Sequence, residues 1–175
     1  MRDATLCFLL QEGPPRQVLL GYKKVGFGAA KYNGFGGKVQ AGETIAMAAI
    51  REMAEETGVR VLELDLTQVA HLTFVFPEEP DWNQVVHAFL STVWEGEPAE
   101  SREMVPSWFP VEDIPFDQMW QDDAHWLSRV LAGERLRGHF TFKGDNETIH
   151  ELELEPWDGV DGGQPRTHFP VKGAT

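Results

Sequence analysis

Three glutamates, Glu52, Glu55 and Glu56, have the spacing of residues on one face of an α-helix. Side chains at positions i, i+3 and i+4 project from the same side of a helix, so three negative charges would share one patch. A divalent cation such as Mg²⁺ would stabilise this patch, because it binds carboxylate oxygens and keeps positions for water and phosphates. The spacing therefore favours a metal site, and ordinary solvated helix surface is the alternative.

The glycine-rich segment before these glutamates suits backbone that approaches a phosphate. Gly36, Gly37 and Lys38 could bring main-chain groups close to a phosphate or a metal ion, and Lys23 adds positive charge nearby. The segment is not a P-loop, because that pattern needs a glycine at Tyr32 and a serine or threonine at position 39. The segment is therefore interpreted as a phosphate-approaching loop of another kind.

Composition and charge limit the class of partner. The 175 residues fit one domain, and the formal net charge of −13 argues against a protein that binds a nucleic-acid polymer. Small phosphorylated substrates remain compatible with this charge if divalent cations offset the repulsion. Cys7, the single cysteine, is expected to be a core residue. The short, acidic start and the lack of an apolar run long enough to span a membrane predict a cytoplasmic protein with no membrane partner.

Periodicity and turn residues predict strands on both sides of a central helix. The helix covers Glu43 to Thr57 and ends at Gly58, and a second helix covers His125 to Leu131. The predicted strands are 5–11, 17–23, 69–76, 85–94, 107–111, 138–143 and 148–155, and 26–39 is a loop. These elements predict an α/β sandwich around a mixed sheet, in a domain of residues 1–155 followed by a tail over 156–175.

One set of positions resembles the signature of the Nudix hydrolases with every gap of the right length: Gly37, Glu43, Arg51, Glu52, Met53, Glu55, Glu56, Gly58 and Val59. The resemblance implies an α/β/α sandwich that binds Mg²⁺ or Mn²⁺ and cleaves a diphosphate linkage in a nucleotide. It implies metal binding by the Gly36 carbonyl and by Glu52, Glu55, Glu56 and Glu103, with Glu56 or Glu103 as the base and Arg51 orienting the carboxylates.

Residues 21–39 and 114–126 are similar to the Nudix hydrolases that act on oxidised purine nucleoside triphosphates such as 8-oxo-dGTP and 2-oxo-dATP. The resemblance implies release of the monophosphate and pyrophosphate, which cleanses the nucleotide pool, by a monomer acting on small nucleotides. Trp120 would stack on the purine. The implied substrate contacts are Thr5, Lys23, Phe27, Asn33, Phe35, Gly36, Gly37, Lys38, Phe74, Gln84, Trp120, Asp122, Asp123, Trp126 and Phe142.

Asp122 and Asp123 are neighbouring carboxyls, and in an apolar pocket such a pair titrates together, so that one member holds its proton. The pair could then recognise either an oxo or an amino edge of a purine, and capping of the following helix is the alternative. Gln84 stands where the similar enzymes have a methionine, and Val105 replaces an arginine. With these changes, a broad-specificity pyrophosphatase that acts on nucleoside triphosphates or dinucleoside polyphosphates remains an alternative function. A non-catalytic nucleotide sensor is a further alternative.

Overall fold

The computed structural model describes residues 1–159, which form a mixed sheet with one helix on each face. The strands are β1 (Arg2–Gln11), β2 (Gln17–Lys23), β3 (Tyr32–Asn33), β4 (Thr67–Val75), β5 (Gln84–Ser91), β6 (Met104–Pro110), β7 (Leu136–Phe142) and β8 (Ile149–Pro156). The helices are α1 (Ile45–Thr57) and α2 (Asp123–Leu131). The loop predicted over 26–39 contains the short strand β3, which pairs with β2.

The strand order is β3-β2-β1-β5-β4-β7-β8, and β6 also pairs with β2. β1 is parallel to β5 and β4 is parallel to β7, while the other pairs are antiparallel. Successive side chains of β1 point to opposite faces. Phe8 packs against Trp126 of α2, whereas Cys7 and Leu9 belong to the core that contains Met53 of α1. The predicted α/β sandwich around a mixed sheet is confirmed.

The predicted pairing of the first two strands holds only at the turn that joins them. Residue pairs Leu10–Val18 and Gln11–Gln17 are antiparallel neighbours. Away from the turn the strands separate, because β1 pairs with β5 over positions 2–9 and β2 pairs with β6. The two later strand pairs, β4–β5 and β7–β8, are antiparallel neighbours as predicted.

Several smaller predictions concern single residues. Cys7 is a core residue as predicted, and burial raises the pKa of its thiol to about 12. Pro156 lies in β8 and Trp157 is buried, so these two residues belong to the domain and not to the predicted tail. Residues 160–175 of that tail lie outside the described part of the chain. Neither described helix is long and apolar enough to cross a membrane.

Candidate active site

Two capping residues fix the helix that carries the glutamates. The Met47 N–H donates a hydrogen bond of 3.1 Å to Thr44 Oγ1, which caps the N-terminus of α1. Because Thr44 is the cap, the helix begins at Ile45 and not at Glu43 as predicted. Gly58 ends the helix in the left-handed conformation, with φ of 77°, and its N–H donates to the Ala54 carbonyl. The sequence signals at both ends therefore determine where the helix that carries the glutamates begins and ends.

Arg51 organises the carboxylates around it. Its guanidinium donates to both carboxylate oxygens of Glu43, at 2.7 and 2.9 Å. It also donates to Glu52 at 2.8 Å, to Glu55 at 3.2 Å and to the Lys38 carbonyl at 3.2 Å. These charge-assisted hydrogen bonds lower the pKa of the Glu43 carboxyl and raise the pKa of Arg51. Arg51 thus ties the helix face to the glycine loop.

Glu56 is the buried member of the glutamate cluster, with 6% of its surface exposed. Burial raises the pKa of its carboxyl to about 8, and the negative charges of Glu52 and Glu103 act in the same direction. The positive charge of Lys23 and a hydrogen bond from the Gly36 backbone oppose this shift. No described residue forms a hydrogen bond to Glu56 Oε2. This oxygen is therefore available to a ligand.

A divalent cation fits the donor chemistry of this cluster. The unpartnered buried oxygen of Glu56 and the neighbouring carboxylates are the hard oxygen ligands that Mg²⁺ and Mn²⁺ prefer. Among residues 1–159, no three histidine, cysteine or acidic side chains are already arranged as a ligand group. Glu52 and Glu55 are instead hydrogen-bonded to Arg51. Each of these two carboxylates uses one oxygen for Arg51 and keeps its other oxygen for a cation.

The glycine loop lies directly against β1 and α1. The Thr5 N–H donates to the Gly37 carbonyl at 2.8 Å, and Cys7 and Phe35 exchange backbone hydrogen bonds. A Cβ atom at Gly36 would lie 1.8 Å from the Thr5 carbonyl oxygen. A Cβ atom at Gly37 would lie 2.6 Å from Glu52 Oε1. Close approach of backbone therefore requires glycine at position 36, whereas at position 37 a side chain could be accommodated if the Glu52 carboxylate moved. Neither glycine has a positive φ.

One cavity contains Glu56 and nearly all of the predicted substrate contacts. It is lined by Thr5, Lys23, Phe27, Asn33, Gly36, Gly37, Lys38, Phe74, Gln84, Trp120, Asp122, Asp123, Trp126 and Phe142. Arg51, Glu52, Glu55 and Glu103 lie outside its lining. The cavity therefore combines an aromatic wall, acidic groups and the glycine loop, and it reaches the glutamate cluster at Glu56.

Phe35 does not line this cavity. Its side chain is fully buried and packs with Ala49, Met53 and Met104 in the core beneath α1. The predicted substrate contact of Phe35 is therefore corrected to a core role. A large apolar residue between loop glycines can face the core as readily as a ligand, and the sequence does not distinguish the two.

The cavity also includes Gly28, Phe76 and Met104, which were not predicted. Phe76 follows Phe74 by two positions, so the alternation of a strand could have placed both on one face. Gly28 has a positive φ of 79°, and Met104 comes directly after Glu103. No sequence signal distinguishes Gly28 from the other glycines of its loop.

Asp122 and Asp123 are both almost fully buried in the cavity wall. Asp122 Oδ2 accepts a hydrogen bond of 2.9 Å from the Trp126 indole N–H, and its side chain makes no helix-capping bond. Burial raises the pKa of both carboxyls, and the charge of Asp122 raises that of Asp123 further. The two carboxyls therefore titrate as a pair, and one of them keeps its proton while the other is ionised. One carboxyl is then a donor and the other an acceptor.

Comparison with known proteins places the chain in a family. The NUDIX domain family matches residues 1–130. The chain belongs to the Nudix hydrolase family. Enzymes of this family generally use divalent metal ions and act on small nucleotide substrates, which agrees with the carboxylate donors around Glu56. This Nudix hydrolase is thus an enzyme, and its candidate site combines a glutamate helix with an aromatic cavity.

Relatives of this Nudix hydrolase align over most of its length. It is 47% identical to the oxidized purine nucleoside triphosphate hydrolase of Danio rerio, over 85% of this chain and 92% of that protein. It is 45% identical to the mouse protein of the same name, over 88% of this chain and 94% of that protein. The crystal structure of a mutator MutT protein from Bacillus halodurans superposes with a TM-score of 0.74 at 25% identity, covering 89% of this chain and 98% of that chain.

Proposed function

We propose that this Nudix hydrolase cleaves oxidised purine nucleoside triphosphates, such as 8-oxo-dGTP and 2-oxo-dATP, into the nucleoside monophosphate and pyrophosphate, and so cleanses the nucleotide pool. The observation that carries the proposal is the buried pair Asp122 and Asp123 in the cavity that Glu56 also lines. The relatives in zebrafish and mouse carry the name of this activity.

Base recognition is assigned to the aspartate pair and the aromatic wall. Protonated Asp123 would donate to the 6-oxo group of an oxidised guanine, and ionised Asp122 would accept from an N–H of the same edge. The opposite distribution of the proton would suit the amino edge of an oxidised adenine. Trp120 would stack on the purine, and Phe74 and Phe142 would form the wall around it.

Metal binding is assigned to the glutamates and the glycine loop. Glu52, Glu55, Glu56, Glu103 and the Gly36 carbonyl would hold Mg²⁺ or Mn²⁺. When bound, the cation polarises the phosphates and lowers the pKa of a water molecule. Arg51 would orient the carboxylates through the hydrogen bonds described above. Lys23 and Lys38, which line the cavity, would bind phosphate oxygens.

Proton transfer is assigned to Glu56. The oxygen of a water molecule forms a bond to one phosphorus of the α–β linkage, the bond from that phosphorus to the bridging oxygen breaks, and the nucleoside monophosphate and pyrophosphate separate. The free Oε2 of Glu56 accepts the proton of the attacking water. Glu103 is the second candidate for the base, but it is exposed, whereas Glu56 is buried at the cavity wall.

The test compares kcat/KM in the presence of Mg²⁺ or Mn²⁺ for 8-oxo-dGTP, 2-oxo-dATP, dGTP, ATP and a dinucleoside polyphosphate. The nucleotide products are separated and quantified by chromatography, because a dinucleoside polyphosphate releases no pyrophosphate. We expect the two oxidised purines to exceed dGTP and ATP by at least about tenfold, because hydrogen-bonding sites discriminate strongly. Equal values for all five compounds would instead assign a broad-specificity pyrophosphatase, which the polar side chain of Gln84 in the cavity would accommodate. Binding without turnover would assign a nucleotide sensor.

The proposal also includes the class of partner, the oligomeric state and the cellular location of the protein. The net charge of −13 supports a small nucleotide and not a nucleic-acid polymer as the partner. We propose that the protein acts as a monomer in the cytoplasm. Size-exclusion chromatography with light scattering, in the presence of Mg²⁺, tests the monomeric state, and a mass of twice 19.7 kDa would contradict it.

A further inference from the structure

Five aromatic side chains form a closed ring of contacts beside the base cavity. The distances between ring centroids are 5.3 Å for Phe27–Trp120, 6.2 Å for Trp120–Phe142, 4.7 Å for Phe142–Phe76, 5.6 Å for Phe76–Trp82 and 5.0 Å for Trp82–Phe27. All of these distances are typical of interacting aromatic pairs. Four of the five residues line the cavity, and Trp82 does not. Trp82 therefore contacts the base site only through its neighbours.

Phe27 is the member of the ring whose position depends most on its neighbours. It lies between Gly26 and Gly28, both with φ of 79°, and its side chain is 42% exposed. Its ring stacks on Trp120 with an interplanar angle of 26°. The Ala29 N–H donates to the Gly26 carbonyl at 3.1 Å, which holds the backbone in a turn but does not hold the Phe27 side chain. The aromatic contacts of Phe27 therefore determine where its ring lies in the cavity wall.

Trp82, in contrast, is held by a short helical turn over Pro80–Trp82. The Trp82 N–H donates to the Glu79 carbonyl at 2.9 Å, and the Asn83 N–H donates to the Pro80 carbonyl at 3.1 Å. Asn83 Oδ1 accepts a hydrogen bond of 2.7 Å from the Phe76 N–H, which ties the turn to the end of β4. The Arg2 guanidinium also donates to a carbonyl of this turn. Trp82 is thus fixed relative to the cavity wall.

Trp82 meets the Phe27 ring edge-on, at an interplanar angle of 71°. Together with Phe27, Trp120 and Lys31 it lines an adjoining second cavity. Trp82 thus supports Phe27 without bordering the base cavity itself. An aromatic ring held in this way limits the positions that the Phe27 ring can adopt, together with the edge-on contact of Phe27 with Phe76 at 6.3 Å.

We propose that Trp82 is a positioning residue for base recognition, which holds Phe27 stacked against Trp120. The inference rests on the proposed function, because it concerns how the same site binds its purine. Trp82 has no contact with the glutamate cluster, so its loss changes nucleotide binding and leaves the chemical step unchanged. The signature is a raised KM with kcat retained.

The experiment compares Trp82→Ala and Trp82→Phe with the wild type, with 8-oxo-dGTP and Mg²⁺. We expect Trp82→Ala to raise KM by about fivefold or more, and Trp82→Phe to recover most of this loss because it keeps an aromatic edge. We expect kcat to stay within about twofold of the wild type. Trp94→Ala is the matched control, because Trp94 packs on Trp108 in the other core and does not line the cavity.

A double-mutant cycle tests whether Trp82 acts through Phe27. In a Phe27→Ala background, we expect Trp82→Ala to change KM by less than about twofold, because the ring that it positions is already absent. Independent effects of the two substitutions would overturn the inference, and so would a wild-type KM in Trp82→Ala. If Trp82→Ala does not fold, the same comparison is made with Trp82→Leu. Absence of turnover in the wild type would refute the proposed function, and the same variants would then be compared by the Kd of 8-oxo-dGTP, in which an unchanged Kd in Trp82→Ala would refute the role of Trp82.

Discussion

The indole N–H of Trp126 donates to Oδ2 of Asp122 at 2.9 Å, whereas Oδ2 of the adjacent Asp123 has no hydrogen-bond partner among residues 1–159. Both carboxyls are buried, and the indole N–H stabilises the charge of Asp122, whereas Asp123 has a backbone hydrogen bond from Trp120 and lies beside the charge of Asp122. This asymmetry decides which aspartate ionises first as the pH rises. Substitution of Trp126 or of Asp123 can therefore test which carboxyl of the pair carries the proton.

Trp126→Phe removes the donor to Asp122 and keeps an aromatic ring. Because the Trp126 hydrogen bond lowers the pKa of Asp122, its loss raises that pKa further. If ionised Asp122 is needed to bind an oxidised guanine, the acid limb of the kcat/KM profile for 8-oxo-dGTP moves to higher pH. The measurement is kcat/KM against pH for both proteins. Trp108→Phe, far from the cavity, should leave the limb in place, and an unmoved limb in Trp126→Phe would contradict the assignment.

Asp123→Asn tests the energetic cost of the buried carboxyl. Burial and the charge of Asp122 raise the pKa of Asp123 in the folded protein above its unfolded value of about 4. As the pH rises from that unfolded value towards the raised one, the unfolded chain loses the proton first, so stability falls. Asparagine does not titrate. The Tm of Asp123→Asn, relative to that of the wild type, should therefore increase between pH 4 and pH 8.

Glu56 titrates in both of these proteins, so its contribution largely cancels from the difference in Tm. Parallel Tm curves for the wild type and Asp123→Asn would show that Asp123 is ionised at the same pH in the folded and unfolded states. That result would remove Asp123 as a hydrogen-bond donor to the base.

Local signals in the sequence predicted the helix that carries the glutamates. Features that depend on contacts between distant residues could not be predicted in the same way. Gly58 ends α1 where it was expected, because a left-handed cap needs little beyond glycine itself. The parallel pairing of β1 with β5 could not be predicted, because no local sequence pattern indicates which distant strand will pair with a given strand. Phe35 shows the same limit within a loop, since only the packed structure shows that its side chain faces the core.

The role of Glu56 is tested by three substitutions that remove one negative charge each. We expect Glu56→Gln to lower kcat by about 100-fold or more, since a general base contributes on that scale. Glu103→Gln should cost less, because Glu103 is exposed. Glu97→Gln is the control, because Glu97 is also exposed and lies in the loop that precedes Glu103. The assay follows pyrophosphate release from 8-oxo-dGTP with saturating Mg²⁺, and EDTA should abolish turnover in all of the proteins.

Near-normal turnover of Glu56→Gln would remove Glu56 from the chemistry. If Glu103→Gln were then the more severe variant, the base would be Glu103. A loss in Glu97→Gln as large as in the other two would indicate a general charge effect on an already acidic protein.

Gly36 and Gly37 offer a pair of alanine substitutions with opposite expected outcomes. The Cβ of Gly37→Ala would meet the Glu52 carboxylate, the movable end of a side chain. The helix can keep its place while Glu52 moves, so we expect kcat/KM to fall by about tenfold or more with little change in Tm. The Cβ of Gly36→Ala would instead meet the Thr5 carbonyl of β1, which is backbone. We expect its Tm to fall by roughly 5 °C or more, because the loop and strand must separate.

The measurements are thermal unfolding and kcat/KM for 8-oxo-dGTP with Mg²⁺ on the same preparations. Gly144→Ala is the control, because a Cβ there would lie 3.5 Å from the Glu78 side chain, an ordinary contact distance. It should change neither quantity. Full activity in Gly37→Ala would show that the position of the Glu52 carboxylate against the loop is not needed for turnover.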